Sequence, residues 1–361
     1  MKKTILWILF IVIILSTLVY FFAPLSSTQK SEALFTIGVN IPQTGNLSSI
    51  GEQIKSGIDL AKSEINDPLL NIKFQDSKGN ARDGSSATNY LLDNENPKFI
   101  VVNLTSVAMA SKPTLSQKNV QAIYLSTHPD ITSSCTNCYR FFTSGKQEGD
   151  LIVSKILEKN DNIIGLIYVN DAYGKGTVSY IENSLKSISP EYNFIDMSYP
   201  ISDYDFKAIT TRLKNDKVNS IIVIGYGFEY SDLFRSLKQI NYSPTVYSNF
   251  SFSNKKGKEI TDYQGEIIFT APTYDKSESR TSEMKKFVEN YQSKYKTEPD
   301  FNAAYGYDNI KIIYEFYKSK QTSFKQFLSG FKYKGAMGTY SFLPNGDVKT
   351  QLEIETKNND H

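Results

Sequence analysis

The chain has 361 residues, 40% hydrophobic and 22% charged, an ordinary globular composition with room for two lobes. A formal net charge of +2 with no basic cluster excludes nucleic acid as an expected partner. The 24 Tyr and 22 Phe are scattered, which suits packing rather than a base-stacking platform.

Lys2 and Lys3 precede Ile5 to Ala23, an uncharged segment interrupted only by Ser16, Thr17 and Tyr20. A cleavable signal core runs about 7–15 residues, whereas a bilayer span needs about 20. No small-x-small site follows closely and no Cys stands there for lipidation. The expectation is therefore an uncleaved signal anchor, a transmembrane helix within residues 1–26, with its lysines in the cytoplasm and the rest outside. The alternative is a long signal peptide that is cleaved to release a secreted body.

A polar linker, 27–34, leads to the strand Phe35–Ile41. The loop Pro42-Gln43-Thr44-Gly45 to Gly51 enters a helix, Glu52–Asn66, with Ile54, Ile58, Ala61 and Ile65 on one face. Asn71–Asp76 reads as a strand and Asp83–Leu92 as a helix. Phe99-Ile100-Val101-Val102 is an unbroken apolar run, as expected of a buried parallel strand. It breaks into Asn103-Leu104-Thr105-Ser106, from which a helix runs past Pro113. A second apolar run, Ala122–Leu125, ends in Ser126-Thr127. Two neighbouring strands thus each deliver a hydroxyl pair at their carboxyl ends, where open α/β sheets bind ligands. A helix amino terminus beside those hydroxyls offers N–H groups to an anion such as a carboxylate. Taken alone, Thr105 and Ser106 read equally as helix caps. Their repetition at the second strand favours a site.

The only cysteines are Cys135 and Cys138, in C-T-N-C, and the only histidines are His128 and His361. That set is too small for a zinc site. Outside the cell a small loop-closing disulfide is expected.

The alternation then restarts: helix Gly149–Leu157, strand Asn162–Val169, helix Lys175–Ser187, strand Tyr192–Tyr199, helix Asp205–Lys214, strand Ser220–Gly225, helix Tyr230–Ile240. Short strands follow at Thr245–Tyr247 and Gly265–Thr270, then two long helices, Ser282–Tyr295 and Phe301–Tyr317. Gly338–Phe342 and Val348–Thr356 flank the turn Pro344-Asn345-Gly346-Asp347 and read as a closing hairpin. This order predicts an α/β fold of two doubly wound parallel-sheet lobes with a ligand cleft between them.

No nucleophile elbow, phosphate-binding lysine or metal-ligand cluster occurs, so no enzyme activity, cofactor or metal is expected. Gly225-Tyr226-Gly227 follows a strand, but Tyr230 stands where a dinucleotide loop needs its third glycine. His128 could act as a base, yet the sequence gives it no obvious acidic partner.

Taken together, the chain resembles the type I periplasmic binding proteins, near their leucine/isoleucine/valine-binding branch. The residues that carry the resemblance are Ile37–Gly45 with Gly51 and Gly57–Asn66, Asp171–Gly174, Asp203–Phe206, Ala303–Asp308, Gly335–Gly338, Phe342 and Asn345–Asp347. It implies lobe one at 35–140 with 271–331, lobe two at 141–270 with 332–356, and a polar tail at 357–361. It also implies that Thr105, Ser106, Ser126 and Thr127 hold the ligand's charged groups, that Tyr173 and Tyr226 close from lobe two, and that Ile50 lies over the ligand body. Amino-acid binders of the family carry an acid after the strand at Thr245–Tyr247, where this chain has Ser248-Asn249-Phe250-Ser251-Phe252-Ser253. Either another acid substitutes, with Glu229 and Asp171 nearest by sequence, or the ligand is a carboxylate, amide or small apolar acid. The implied function is an extracytoplasmic solute-binding protein that delivers a small ligand to the permease subunits of an ABC transporter. The alternative is a membrane-anchored ligand-sensing ectodomain.

Overall fold

β1 (Phe35–Ile41) is buried along its whole length because it lies between two parallel partners, β2 (Leu70–Asp76) and β3 (Phe99–Asn103). β4 (Gln121–Leu125) and β5 (Cys138–Arg140) extend the sheet to the order β2-β1-β3-β4-β5. The crossovers run through α1 (Ser48–Ile65), α2 (Ala81–Glu95) and α3 (Thr105–Gln117). All five strands are parallel, so the carboxyl ends of β1, β3 and β4 open on one edge.

This computed structural model describes residues 7, 33–159, 161–202, 204–253, 257, 259–260, 262–275 and 280–358. Residues 35–361 form a unit of their own. The expected span Ile5–Ala23 lies outside the described residues apart from Trp7; among the described residues no helix is long and apolar enough to cross a membrane.

A second parallel set follows: α4 (Gly145–Lys159), β6 (Ile163–Val169), α5 (Ala172–Ile188), β7 (Asn193–Tyr199), α6 (Phe206–Asn215), β8 (Ser220–Ile224), α7 (Tyr230–Gln239), β9 (Thr245–Ser248) and β10 (Ile267–Pro272). Helices α8 (Ser282–Tyr295), α9 (Phe301–Ser319) and α10 (Phe324–Leu328) then return to the core of the first sheet, where Phe287, Ile310 and Phe324 pack with Phe35 and Phe99. We call the first sheet with its helices lobe one and the second lobe two. α1 and α9 approach closely enough that a Cβ on Gly57 would stand 1.9 Å from the Ala303 carbonyl oxygen. Only glycine permits that contact, and it fixes where the start of α9 points.

Two local readings change. α1 begins at Ser48 and α4 at Gly145, each about a turn earlier than the apolar periodicity indicates, so Ile50 sits in a first helical turn. The closing segment also divides. β11 (Lys332–Gly335), β12 (Gly338–Phe342) and β13 (Val348–Lys349) form a small antiparallel sheet whose Ala336, Met337, Tyr340 and Val348 pack into the core of lobe one, not lobe two. β14 (Leu352–Lys357) instead pairs antiparallel with β10 on the edge of lobe two. The cause is polar and buried. Asp308 on α9 accepts the N–H groups of Ala336 and Met337, both at 2.8 Å, and ties the β11–β12 turn to lobe one.

Candidate ligand-binding site

A cavity of about 370 Å³ lies between the lobes at the carboxyl ends of β3 and β4. Leu104, between β3 and α3, adopts φ 71°, ψ 135°, a left-handed-side conformation that a leucine holds only when its surroundings enforce it. The turn starts α3 with no side-chain cap, which leaves first-turn N–H groups beside the cavity without the usual intrachain acceptor.

Thr105, Ser126 and Thr127 form one hydroxyl group at this end. Ser126 Oγ lies 3.1 Å from Thr105 Oγ1, which lies 3.4 Å from Thr127 Oγ1, and all three residues are buried and line the cavity. Asn103 beside them donates to the Leu125 carbonyl, while its buried Oδ1 has no partner in the protein. Sequence reasoning passed over Asn103, placing it only in the break after the Phe99–Val102 run.

Ser106 is placed differently. It does not line the cavity; its hydroxyl meets Asp171 and Tyr226 of lobe two. Consecutive helical residues point about 100° apart, and here the turn aims Thr105 at the cavity and Ser106 at lobe two. Ser106 is a contact between lobes.

Tyr173 and Tyr226 line the cavity from lobe two with ring centroids 5.1 Å apart. The Tyr173 hydroxyl is bound within its own lobe, donating to the Gly225 carbonyl at 3.2 Å, with Ser251 Oγ and Asn249 Nδ2 also on it. Ile50 lines the cavity too, with further apolar wall from Leu104, Leu125, Phe142, Phe228, Phe250 and Phe301. Phe250 falls inside the loop where the family resemblance called for an acid.

The cavity nevertheless has carboxylates, from lobe one: Glu52 on α1, and Glu298 and Asp300 before α9. Asp300 caps α9, accepting the Ala303 N–H at 3.0 Å, and burial pushes its pKa up. Neither acid favoured by sequence proximity lines the cavity. Glu229 is buried behind it, accepting from the Tyr199 hydroxyl at 2.5 Å and the Tyr226 N–H at 2.9 Å. Asp171 caps α5 through the N–H groups of Tyr173 and Gly174, both at 2.9 Å. No Lys, Arg or His is among the lining residues.

His128 is half-buried and its Nδ1 accepts the Asp130 N–H at 3.2 Å, so it shapes a local turn, and burial lowers its pKa. A disulfide joins Cys135 to Cys138, with Cα atoms 5.4 Å apart. Among the described residues no group of three or more His, Cys, Asp or Glu is placed to hold a metal ion.

A family model described as periplasmic binding protein matches residues 35–353. The chain belongs to that family. This periplasmic binding protein is 30% identical over 259 residues to the Leu/Ile/Val-binding protein BraC3 of Rhizobium johnstonii, covering 69% of this chain and 70% of that one. Its fold matches the leucine binding protein LivK of Thermotoga maritima with a TM-score of 0.79 at 19% identity, over 90% of this chain and 96% of that one. It also matches an ABC transporter solute binding protein of Rhodopseudomonas palustris in complex with 3,4-dihydroxybenzoic acid, with a TM-score of 0.75 at 18% identity, over 89% and 92% of the two chains. These relatives are binding proteins. Members of the family work outside the cytoplasm, as the sequence resemblance implied.

Proposed function

We propose that the chain captures a small solute with a carboxylate and an apolar body, and delivers it to the permease subunits of an ABC transporter. The observation that carries this reading is the polarity of one cavity. Thr105, Ser126 and Thr127 sit with an uncapped helix start at one end, and phenyl rings and aliphatic groups make most of the remaining wall. Ligands named for the relatives, leucine and 3,4-dihydroxybenzoic acid, both pair a carboxylate with an apolar body. Asp300 offers a partner to an amino group on the same ligand, so amino acids and simple carboxylates both fall within the class. Thermal-shift screening of the purified protein against amino acids, amides and short carboxylates tests it. Stabilisation by acids with branched or aromatic bodies is expected; stabilisation by amides but by none of the acids contradicts it.

The segment Ile5–Ala23 in this proposal holds the body on the outer face of the membrane. Protease added to intact cells should degrade the body while it stays cell-associated; a mature chain starting near Ser26 and free in the medium contradicts the anchor.

A further inference from the structure

Arg140, the last residue of β5, has no exposed surface. Its guanidinium donates from Nε to Asp347 Oδ1 at 2.8 Å and from Nη2 to Asp347 Oδ2 at 3.1 Å. Two further donors go to the loop that carries the hydroxyl end of the cavity: Nη1 to the Ser126 carbonyl at 3.3 Å and Nη2 to the Pro129 carbonyl at 3.1 Å. Asp347 stands on the β12–β13 turn, and that turn is seated on β5 by an Arg140 N–H bond to the Gly346 carbonyl at 2.9 Å. The β12–β13 turn is therefore joined, through one buried cation, to the loop that carries Ser126 and Thr127.

No cation lines the cavity, but Arg140 bonds the backbone carbonyl of Ser126, whose residue lines it. A buried charge is screened far less than an exposed one, so a carboxylate in the cavity still feels it. Asp347 cancels part of the field. Asp130 and His128 are other charged or titratable groups near it. A structural staple accounts for the bidentate pair, but the two bonds to Ser126 and Pro129 reach past the staple to the site.

We infer that Arg140 is a positioning residue for the carboxylate end of the cavity: it fixes the Ser126–Thr127 loop by its carbonyls and biases the site toward an anionic group, with Asp347 setting how strongly. The inference rests on the proposed function, since it needs a ligand carboxylate at those hydroxyls.

The test is a ratio of affinities. L-Leucine, 4-methylpentanoate, benzoate and 3,4-dihydroxybenzoate are each titrated beside the corresponding primary amide. Arg140→Gln should lower the acid-to-amide affinity ratio at least threefold, Asp347→Asn should raise it, and Arg140→Lys should keep it near that of the unmodified protein while lowering Tm. A staple alone would weaken acid and amide by the same factor, leaving every ratio unchanged, and that result overturns the inference. If Arg140→Gln does not fold, as judged by circular dichroism, Asp347→Asn decides alone: a ratio that does not rise overturns it. Thr105→Ala separates the two levels of the argument. Acids that bind and are weakened by Thr105→Ala, with flat ratios, leave the proposed function and remove Arg140; binding by none of the four acids removes both.

Discussion

Tyr226 donates its hydroxyl hydrogen to Asp171 Oδ2 at 2.6 Å, and Ser106 of the opposite lobe meets the same pair. Asp171 thereby caps one helix while gathering the first turn of another from across the cleft. Ile201, Tyr226 and Phe228 of lobe two pack on the apolar cluster of Leu104 and Val107 around it. The closed arrangement thus has contacts of its own beyond any ligand.

Ser106→Ala should loosen that closed arrangement without removing a ligand contact. Stopped-flow measurement should show faster ligand release with a nearly unchanged association rate, because closure follows capture. An association rate that falls as far as affinity does would return Ser106 to the ligand.

Tyr173→Phe keeps the ring on the cavity wall but removes the hydroxyl that joins Gly225, Ser251 and Asn249. Buried donors and acceptors left without partners cost about 1–3 kcal/mol, so Tm should fall while selectivity among ligands stays. Tyr173→Ala should lower both stability and affinity. Differential scanning calorimetry and titration calorimetry on the same samples separate the two effects.

Glu148 gives a pH signature. It has no exposed surface, accepts from the Phe250 N–H at 3.1 Å and the Thr270 hydroxyl at 2.8 Å, and burial pushes its pKa from an ordinary 4.5 up to about 7. A carboxyl raised in the folded state stabilises most below the unfolded pKa, and that contribution is lost as pH rises toward 7. Urea unfolding should find the unmodified protein losing up to about 3 kcal/mol relative to Glu148→Gln between pH 4.5 and 7, at about 1.4 kcal/mol per unit. Parallel pH profiles for the two proteins would contradict this role.

Much of the architecture was legible because the chain alternates apolar strand runs with amphipathic helices, a pattern that leaves few topologies. Ser126 and Thr127 stand out because they directly follow an apolar run, and Thr105 follows another after Asn103 and Leu104. What escaped is long-range. Asp300 reads locally as a helix cap, and only the α1–α9 contact at Gly57 brings it to the cavity. The division of the closing segment depends on Asp308 and Arg140, groups whose partners lie far away in sequence. Ser106 lies beside Thr105 in the sequence, yet it is not among the residues that line the cavity.

Asp300→Asn should separate ligands by their amino group. L-Leucine should lose affinity several-fold, and 4-methylpentanoate, which lacks the amine, should not. Equal losses for both would make Asp300 a helix cap and nothing more.

The hydroxyls at the ends of β3 and β4 are proposed to hold the ligand's carboxylate. Titration calorimetry of the best-binding acid from the screen against Thr105→Ala and Ser126→Ala tests this most directly. Each lost hydrogen bond to a charged group is worth about 1.5–3 kcal/mol, so affinity should fall at least about ten-fold in each variant. Folding should be intact and the corresponding amide less affected. Unchanged affinity for the acid in both variants would contradict the account.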